Sequence, residues 1–407
     1  MKQRAWGMWG VAVTFVLFQF GLQLSSGQIV DGLMQSFALT AFGGGLLASV
    51  YYYIYVLLQA PAGFLIDKYG VRRLLAGGAL TCGLGCFLFG GAPVVWLAAL
   101  GRLLMGLGAA FAFVGTLNIV GRWFSSQQFT VMAALSETLG MLGAIGAAFS
   151  LATAVHYYGW RVCMIGAGCG AVGLSILLWC CVRDRKLPPL EMHLVEVERF
   201  WQTFKWIVRN PVLWLAGLYS GVLFSVITVF VALWGIPFFM RVHGWSIIQS
   251  TLMCNLVFLG VAMGGPVLGW LDARVSFRRT LFVLESVMVT VLLTVLLWYP
   301  TMPIGWLVAC LLSMGIFASG YILIFGVGNE AAPPARQGSA MGFINMLSVL
   351  TAPLFQPLVG GILTYLAGER VASNLFTVPV RDFQQALMVL PVLTLCAAVL
   401  ALKLPAK

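Results

Sequence analysis

Three ionisable residues lie inside long apolar stretches of the sequence: Arg102, Glu137 and Glu285. Only 9% of residues are charged, and an ionisable group in apolar surroundings is a candidate for function because its desolvation is costly. Glu137 lies among small residues inside the apolar stretch 128–154, where desolvation disfavours its charged form, so its carboxyl can take up and release a proton near neutral pH. We therefore expect Glu137 to have a proton-coupling or solute-contacting role, with a structural hydrogen bond as the alternative.

Glu285 and Arg102 differ from Glu137 in their neighbours along the chain. Glu285 follows Arg279 by six residues, so it lies within reach of a charged turn and a structural role is expected. Arg102 has no polar loop close by to which its side chain can extend. Polar or charged groups within the apolar region must therefore bind the Arg102 guanidinium.

The composition requires most of the surface to be apolar. Hydrophobic residues make up 61% of the 407 positions and the mean hydropathy is +0.98, which predicts a multi-pass membrane protein. The 14 Trp and 11 Tyr suit membrane interfaces, and the 47 Gly suit close helix packing. The net charge of +11 does not indicate a nucleic-acid partner, because the cations are scattered in short loops.

Apolar stretches of about 20 residues predict an all-α membrane protein with twelve spanning helices, six in each half of the chain. We number them spans 1 to 12 and keep these numbers throughout. The predicted spans cover residues 6–25, 42–62, 74–92, 95–118, 128–154, 161–182, 211–240, 247–271, 279–298, 303–327, 337–366 and 384–403.

Lys and Arg are distributed unevenly between the two ends of these spans. Eighteen of the 23 lie at the termini or in connections that follow even-numbered spans. Because cytoplasmic loops are enriched in Lys and Arg, both termini are predicted to be cytoplasmic. Span 1 is predicted to be a retained helix rather than a cleaved signal, and the short loops favour a bacterial cytoplasmic (inner) membrane.

The chain divides into two similar halves at its one sizeable polar segment. We predict a bundle of six helices over residues 1–182, a cytoplasmic linker over 183–209, and a second six-helix bundle over 210–407. A duplicated pattern supports this division, with a Pro, an Asp six residues later and then an Arg pair. It reads Pro61, Asp67, Arg72 and Arg73 in the first half, and Pro266, Asp272, Arg278 and Arg279 in the second.

Two motifs resemble those of the major facilitator superfamily of secondary transporters. The turn after span 2 carries Gly63, Asp67, Gly70, Arg72 and Arg73, and span 4 carries Arg102-Leu-Leu-Met-Gly106-Leu-Gly108. The resemblance covers essentially the whole chain, including Gly159-Trp160-Arg161 before span 6. It implies two six-helix bundles related by a pseudo-twofold axis around a central cavity. Span 5 lacks the Gly-Pro pair typical of the proton-antiporter branch, which makes drug efflux a weaker expectation.

The resemblance implies that the turn at 63–73 is a cytoplasmic latch between the bundles. Asp67 is expected to pair with Arg72 or Arg73 and to lie near the beginning of span 11, where the helix dipole favours an anion. The alternative is that these charges only fix topology and solvate a loop. The counterpart of the latch in the second half is predicted to comprise Asp272, Arg278, Glu330 and Arg336.

The family also carries an Arg at the position of Arg102. The resemblance implies that Arg102 binds an anionic solute or modulates proton transfer, and the alternative is that it caps backbone carbonyls of a neighbouring helix. It further implies a cavity lined by spans 1, 4, 7 and 10, with help from spans 2, 5, 8 and 11. The polar and aromatic candidates for its lining, beside Glu137, are Gln19, Gln23, Tyr51, Tyr52, Tyr55, Asn118, Tyr219, Trp234, Asn255, Tyr321, Asn345 and Gln356.

The leading hypothesis is a proton-coupled secondary active transporter, a monomer in membrane lipid that works by alternating access. Spans 8, 10 and 11 contain no Lys or Arg, which favours a neutral, zwitterionic or monoanionic organic solute over a small dianion. A non-transporting receptor or scaffold on the same fold is the alternative, followed by a membrane-embedded lipid enzyme. We expect no enzyme, cofactor or metal site, because the nine Cys and three His lack suitable spacing and there is no phosphate-binding glycine loop.

Overall fold

The computed structural model describes residues 2–24, 26–124, 126–184, 202–274, 277–333, 336–368 and 373–405. Within these ranges the description of side chains leaves out residues 2, 3, 60, 64, 67, 126–131, 133, 134, 137, 273 and 338. The described backbone is helical almost throughout and contains no strand. The prediction of an all-α membrane protein is confirmed.

The helices occupy the predicted spans. Span 1 is Lys2–Leu24, span 2 is Ala41–Tyr69, span 3 is Val71–Gly91 and span 4 is Val95–Trp123, while spans 5 and 6 lie within Ser126–Cys181. In the second half, span 7 combines Pro211–Ser225, a π-helix at Val226–Trp234, and Gly235–His243. Spans 8, 9 and 11 are Ile247–Arg274, Arg278–Trp298 and Gln337–Ala367. Span 10 is Ile304–Ala318 followed by Gly320–Glu330, and span 12 is Val380–Leu387 followed by Val389–Leu402.

Short helices lie in the connections. A 3-10 turn at Ser26–Gln28 and the helix Val30–Phe37 join spans 1 and 2, and residues 202–209 form a helix before span 7. The molecule has two ends along the direction of the spans. We call the end with the connection between spans 1 and 2 the 25–40 side. The opposite end, where both termini lie, is called the termini side.

Eleven of the described helices are long and apolar enough to cross a membrane, and one of them supplies two crossings. The stretch Thr138–Cys181 has 44 residues, which is about 66 Å of helix and roughly twice the thickness of a bilayer core. Gly159 interrupts it with φ 76° and ψ 160°, a conformation that glycine adopts readily. Spans 5 and 6 meet at this residue, which gives the twelve predicted crossings.

Glycines allow the same close packing in both halves. A Cβ at Gly106 in span 4 would collide with the backbone oxygen of Tyr51 in span 2, and a Cβ at Gly315 in span 10 would collide with that of Val257 in span 8. Spans 4 and 10 occupy equivalent places in the two six-helix bundles. The Gly-x-Gly motif after Arg102 is therefore explained by the close approach of helices.

The two bundles meet along spans 2 and 11 and along spans 5 and 8. On the 25–40 side, the Phe42 N–H donates to Thr364 Oγ1 at 3.1 Å. Nearer the middle, the Tyr53 hydroxyl donates to the Pro353 carbonyl at 3.1 Å. The π-helix of span 7 packs on the 3-10 turn Ser26–Gln28 of the other bundle. These contacts bring the bundles together from the 25–40 side to the centre of the molecule.

Candidate functional site

A small cavity lies between the bundles near the middle of the membrane-spanning helices. Its volume is about 50 Å³, and its wall is contributed by spans 1, 2, 4, 7, 10 and 11. The wall is aromatic with a few amide and hydroxyl groups. It consists of Phe20, Gln23, Tyr55, Phe113, Phe224, Tyr321, Phe325, Asn345, Ser348 and Val349.

Four of the residues that the sequence analysis placed in a cavity line this one: Gln23, Tyr55, Tyr321 and Asn345. Sequence reasoning missed the four Phe residues, Ser348 and Val349. A Phe that faces a cavity has the same sequence context as a Phe that faces lipid, because both lie in an apolar helix. The rotation of each helix, which the structure supplies, distinguishes the two.

Three further predicted residues lie behind the cavity wall and position Gln23. The Gln19 side-chain amide donates to the side-chain oxygen of Gln23, and it lies 3.4 Å from the Tyr51 hydroxyl. The Tyr52 hydroxyl donates to the backbone carbonyl of Gln23 at 2.8 Å. Gln19, Tyr51 and Tyr52 are all buried, so this polar cluster joins spans 1 and 2 below the cavity surface.

The other predicted lining residues are placed outside this cavity. The Trp234 indole donates to the Gln356 carbonyl at 3.0 Å, and the Gln356 amide donates to the Thr228 carbonyl at 2.8 Å, which ties span 7 to span 11. Asn255 donates to the Ile145 carbonyl at 3.3 Å across the interface between the bundles. Asn118 is partly buried in span 4. Tyr219 contacts span 9, which differs from the expectation that it faces the cavity.

Arg102 is almost completely buried, with 2% of its surface exposed. Its Nη2 donates to Ser26 Oγ at 2.6 Å and to the Ala48 carbonyl at 2.8 Å. The guanidinium also lies 5.6 Å from the ring centre of Tyr51. Arg102 thus connects span 4 to span 2 and to the connection between spans 1 and 2, and the described cavity wall does not include it.

Two predicted acidic residues lie outside the described side chains. The backbones of Asp67 and Glu137 are helical, but their side-chain positions are not described. The proposed roles of Asp67 in the latch and of Glu137 in proton coupling stay predictions. Glu285 is fully buried in span 9, where Oε2 lies 3.1 Å from the Tyr219 hydroxyl.

The turn after span 2 is held to the end of span 6. The backbone N–H of Arg72 donates to Asp184 Oδ1 at 3.1 Å, and its Nε donates to the Trp179 carbonyl at 2.7 Å. Gly70 has φ 90°, and a Cβ there would lie 2.7 Å from the carboxylate of Asp184. Gly63 lies within the helix of span 2 and the exposed Arg73 within that of span 3, so the turn predicted over 63–73 is reduced to Gly70, because both helices extend further than the apolar runs. These contacts join elements of the first bundle.

The equivalent turn of the second bundle carries a network of three charged residues. Arg278 binds Asp272 through Nε at 2.7 Å and Nη2 at 2.8 Å, and its Nη1 reaches Glu330 at 2.7 Å. Arg279 donates to the Leu404 carbonyl at the end of span 12, as Arg72 does to the end of span 6. Arg336 stacks on Trp206, 5.3 Å from its ring centre. The structure therefore brings together three of the four residues predicted here.

Comparison with known proteins agrees with this architecture. Residues 11–357 match the family model of the Major Facilitator Superfamily. Membrane sensor protein UhpC of Salmonella typhimurium (strain LT2) is 26% identical over 364 residues, which cover 84% of this chain and 81% of that protein. The probable galactarate/D-glucarate transporter GudP of Bacillus subtilis (strain 168) is 22% identical over 375 residues, which cover 83% and 81%.

A solved structure shows the same fold at low sequence identity. It is a bacterial homolog of the human lysosomal transporter Spinster in an inward-facing, unoccupied conformation. The TM-score is 0.77 at 14% identity, covering 99% of this chain and 97% of that one. With the twelve crossings, the two bundles and the match over most of the sequence, this chain belongs to the major facilitator superfamily, a family of membrane transporters.

Proposed function

We propose that this protein is a secondary active transporter that moves a small organic solute by alternating access, driven by protons. The observation that carries the proposal is the cavity between the bundles, whose wall comes from six spans and both halves. A solute bound there contacts both bundles at once. Relative motion of the bundles then exposes the solute to one side of the membrane or the other.

The size of the cavity supports a moving structure. A volume of about 50 Å³ has room for water, whereas organic ligands occupy sites of roughly 300–1,000 Å³. Binding a solute therefore requires the walls to separate. The bundles are held together from the 25–40 side to the centre, so this conformation is closed toward that side at the level of the cavity.

The described cavity wall favours an uncharged solute with an aromatic or other flat apolar part. It holds six aromatic rings beside Gln23, Asn345 and Ser348, and it contains no Lys, Arg, Asp or Glu. Rings stack on flat apolar groups, and the two amides offer both donors and acceptors. A dicarboxylate, the solute class in the name of GudP, would lose its hydration here without gaining a cation.

The remaining topology is proposed from the distribution of charge. We place the termini side in the cytoplasm of a bacterial cell, with both bundles in the cytoplasmic membrane and 183–209 as the linker between them. The protein is proposed to act as a monomer. In this orientation, the closed 25–40 side faces outward.

Flux through reconstituted vesicles tests the proposal. Vesicles with purified protein are given an inward proton gradient and a panel of labelled neutral aromatic, zwitterionic, monocarboxylate and dicarboxylate compounds. We expect accumulation of a neutral aromatic compound that a protonophore abolishes, and weaker accumulation by the cavity variant Asn345→Ala. Arg381→Ala, at an exposed position on the 25–40 side, is the matched control. Accumulation of dicarboxylates alone would overturn the proposed solute class.

A second candidate function comes from the similarity to a membrane sensor protein over 84% of this chain. A sensor on this fold binds its solute and changes conformation without net flux. The same vesicles distinguish the two functions. Saturable binding of a compound in detergent, together with absence of uptake and exchange in vesicles, would favour the sensor.

A further inference from the structure

The carboxyl of Glu285 has little in its surroundings to stabilise a charge. The residue is 0% exposed and lies in span 9, one layer behind the central cavity. Its Oε2 lies 3.1 Å from the Tyr219 hydroxyl, and its Oε1 has no hydrogen-bond partner among the described residues. No described Lys, Arg or His forms an ion pair with it, since the described ion pairs are those of Arg278. A carboxylate in such a place is costly.

This carboxyl lies against span 10 next to Ser319, where the segments Ile304–Ala318 and Gly320–Glu330 meet. The backbone stays right-handed there, with φ −60° and ψ −11° at Ser319, and the Ile322 N–H donates to the Ser319 carbonyl at 2.9 Å, a local tightening of the helix. A Cβ on Gly320 would collide with Glu285 Oε2, so only glycine allows the carboxyl to approach the backbone here. The next residue, Tyr321, lines the cavity. A change at Glu285 is thus one residue away from the cavity wall.

Hydrogen bonds extend from the same point to spans 7 and 11. The Tyr219 hydroxyl has one hydrogen and two acceptors within reach, Glu285 Oε2 at 3.1 Å and the Phe282 carbonyl at 3.0 Å. The neighbouring Ser220 donates to the Tyr321 carbonyl at 3.0 Å, and Ser348 of the cavity wall donates to Ser220 at 2.6 Å. Three spans that line the cavity are connected behind it around this carboxyl.

The protonation state of Glu285 decides which of these contacts is favoured. When the carboxyl carries a proton, it is neutral, suits its buried position, and the Tyr219 hydroxyl is able to donate to Phe282. When the carboxyl loses its proton, the carboxylate attracts the Tyr219 hydrogen and requires further donors, which it obtains only if span 10 moves or water enters. Proton binding and the position of span 10 are therefore linked.

We propose that Glu285 is a proton-binding site that couples the proton to the movement of span 10. This inference rests on the proposed transport function and deepens it. A proton from one side of the membrane binds the carboxylate as an O–H bond forms, and the same bond breaks to release a proton to the other side. Because the solute is proposed to be neutral, each cycle carries one net positive charge.

Two ionisable groups act on Glu285 from neighbouring helices. Tyr219 reaches it from span 7, and Asp272 acts at longer range from the end of span 8. Asp272 is itself bound to Arg278, which compensates its charge. Among the described residues, no charge without its own counter-ion lies close enough to Glu285 to titrate together with it.

Infrared titration of the purified protein tests the proton site without a solute. Difference spectra between low and high pH record the C=O stretch of carboxylic acids that lose a proton. We expect Glu285→Gln to remove one such band and Glu285→Asp to retain it at a changed frequency. Asp382→Asn, on the 25–40 side, is the control for loss of an acid elsewhere and should leave that band unchanged.

Flux measurements then test the coupling. In vesicles, Glu285→Gln should lose proton-driven accumulation of the solute identified with the wild-type protein, while exchange of labelled for unlabelled solute continues. Glu137→Gln is measured in parallel, because Glu137 was the sequence candidate for coupling. If Glu285→Gln retains proton-driven accumulation, the coupling proposal is wrong whether or not the infrared band remains, and the transport function is unaffected.

Failure of this proposal is distinguishable from failure of the proposed function. If the wild-type protein moves no solute, the transport function fails, and the infrared band alone decides whether Glu285 binds a proton. If Glu285→Gln does not fold, Gly320→Ala provides the second variant. Gly320→Ala displaces the Glu285 carboxyl without removing it. If Glu285 binds the proton, the infrared band should appear or disappear at a different pH in this variant. A band with unchanged pH dependence would show that Glu285 is not the proton-binding site.

Discussion

Arg102 in the first bundle and Glu285 in the second are both buried without a described ion pair, and their surroundings differ. Arg102 donates through Nη2 to Ser26 and to the Ala48 carbonyl and lies near the Tyr51 ring, while its Nε has no described partner. Glu285 contacts one hydroxyl and has one oxygen without a described partner. A guanidinium keeps its charge, so a buried Arg requires permanent acceptors, whereas a carboxyl becomes neutral by taking a proton. Arg102 therefore carries a fixed charge, whereas the carboxyl of Glu285 can gain or lose one.

The largest effect is expected from removing Arg102. Arg102→Ala leaves a cavity and deprives Ser26 and Ala48 of their donor, so we expect a loss of about 3 kcal/mol in the free energy of unfolding. Thermal unfolding in detergent measures it. Lys403→Ala, at an exposed position near the C-terminus, is the control and should change stability by less than about 0.5 kcal/mol.

A conservative change at Arg102 sharpens the same point. Arg102→Lys keeps the charge but loses the planar arrangement of donors, so it should remain destabilised. If Arg102→Lys instead keeps full stability and abolishes solute binding, Arg102 contacts the solute as the family resemblance implied, and its structural assignment is wrong.

The second largest effect is expected at Gly320 in span 10, where the carboxyl of Glu285 approaches the backbone. Gly320→Ala introduces a Cβ against the Glu285 carboxylate, which must move, and we expect a loss of about 2 kcal/mol. Gly305→Ala, in the same span but with no neighbour within 4 Å of the new Cβ, is the matched control. Combining Gly320→Ala with Glu285→Ala should recover stability relative to the sum of the single changes, because the colliding group is gone. Additive losses would mean that the two residues do not interact.

The sequence predicted the helices well and their rotations poorly. Hydropathy located the twelve crossings because the bilayer imposes a length on each helix. It did not reveal the local tightening of span 10 at Ser319 or the π-helix in span 7, since neither contains a charge or a Pro that interrupts the apolar run.

The candidate site shows the same limit. Tyr219 was expected in the cavity but turns to span 9, and Phe113 lines the cavity without any sequence signal. Both lie in helices that are apolar on all sides, so no polar face indicates which way a side chain points. Glu285 was assigned a structural role from its distance to Arg279, whereas its position against Gly320 depends on a contact between different spans.

A smaller effect is expected from weakening the surroundings of Arg102. Ser26→Ala removes one of its acceptors and leaves the Ala48 carbonyl, so we expect a loss of about 1.5 kcal/mol. The infrared band assigned to Glu285 should keep its position, because the change lies in the other bundle. A shift of that band in Ser26→Ala would show that the two buried charges are coupled through the interface between the bundles.

The smallest loss of stability, about 1 kcal/mol, is expected from Tyr219→Phe, which removes the one hydroxyl that contacts Glu285 and keeps the ring. The change should also alter the pH at which Glu285 titrates, because the hydroxyl interacts differently with the carboxylate and with the protonated acid. The infrared band of Glu285 should therefore shift in pH, and proton-driven accumulation should change its pH dependence while exchange continues. Tyr299→Phe, an exposed position at the end of span 9, should do neither. A fixed band in Tyr219→Phe would mean that the carboxyl does not respond to span 7, and Glu285 would then be as fixed a structural group as Arg102.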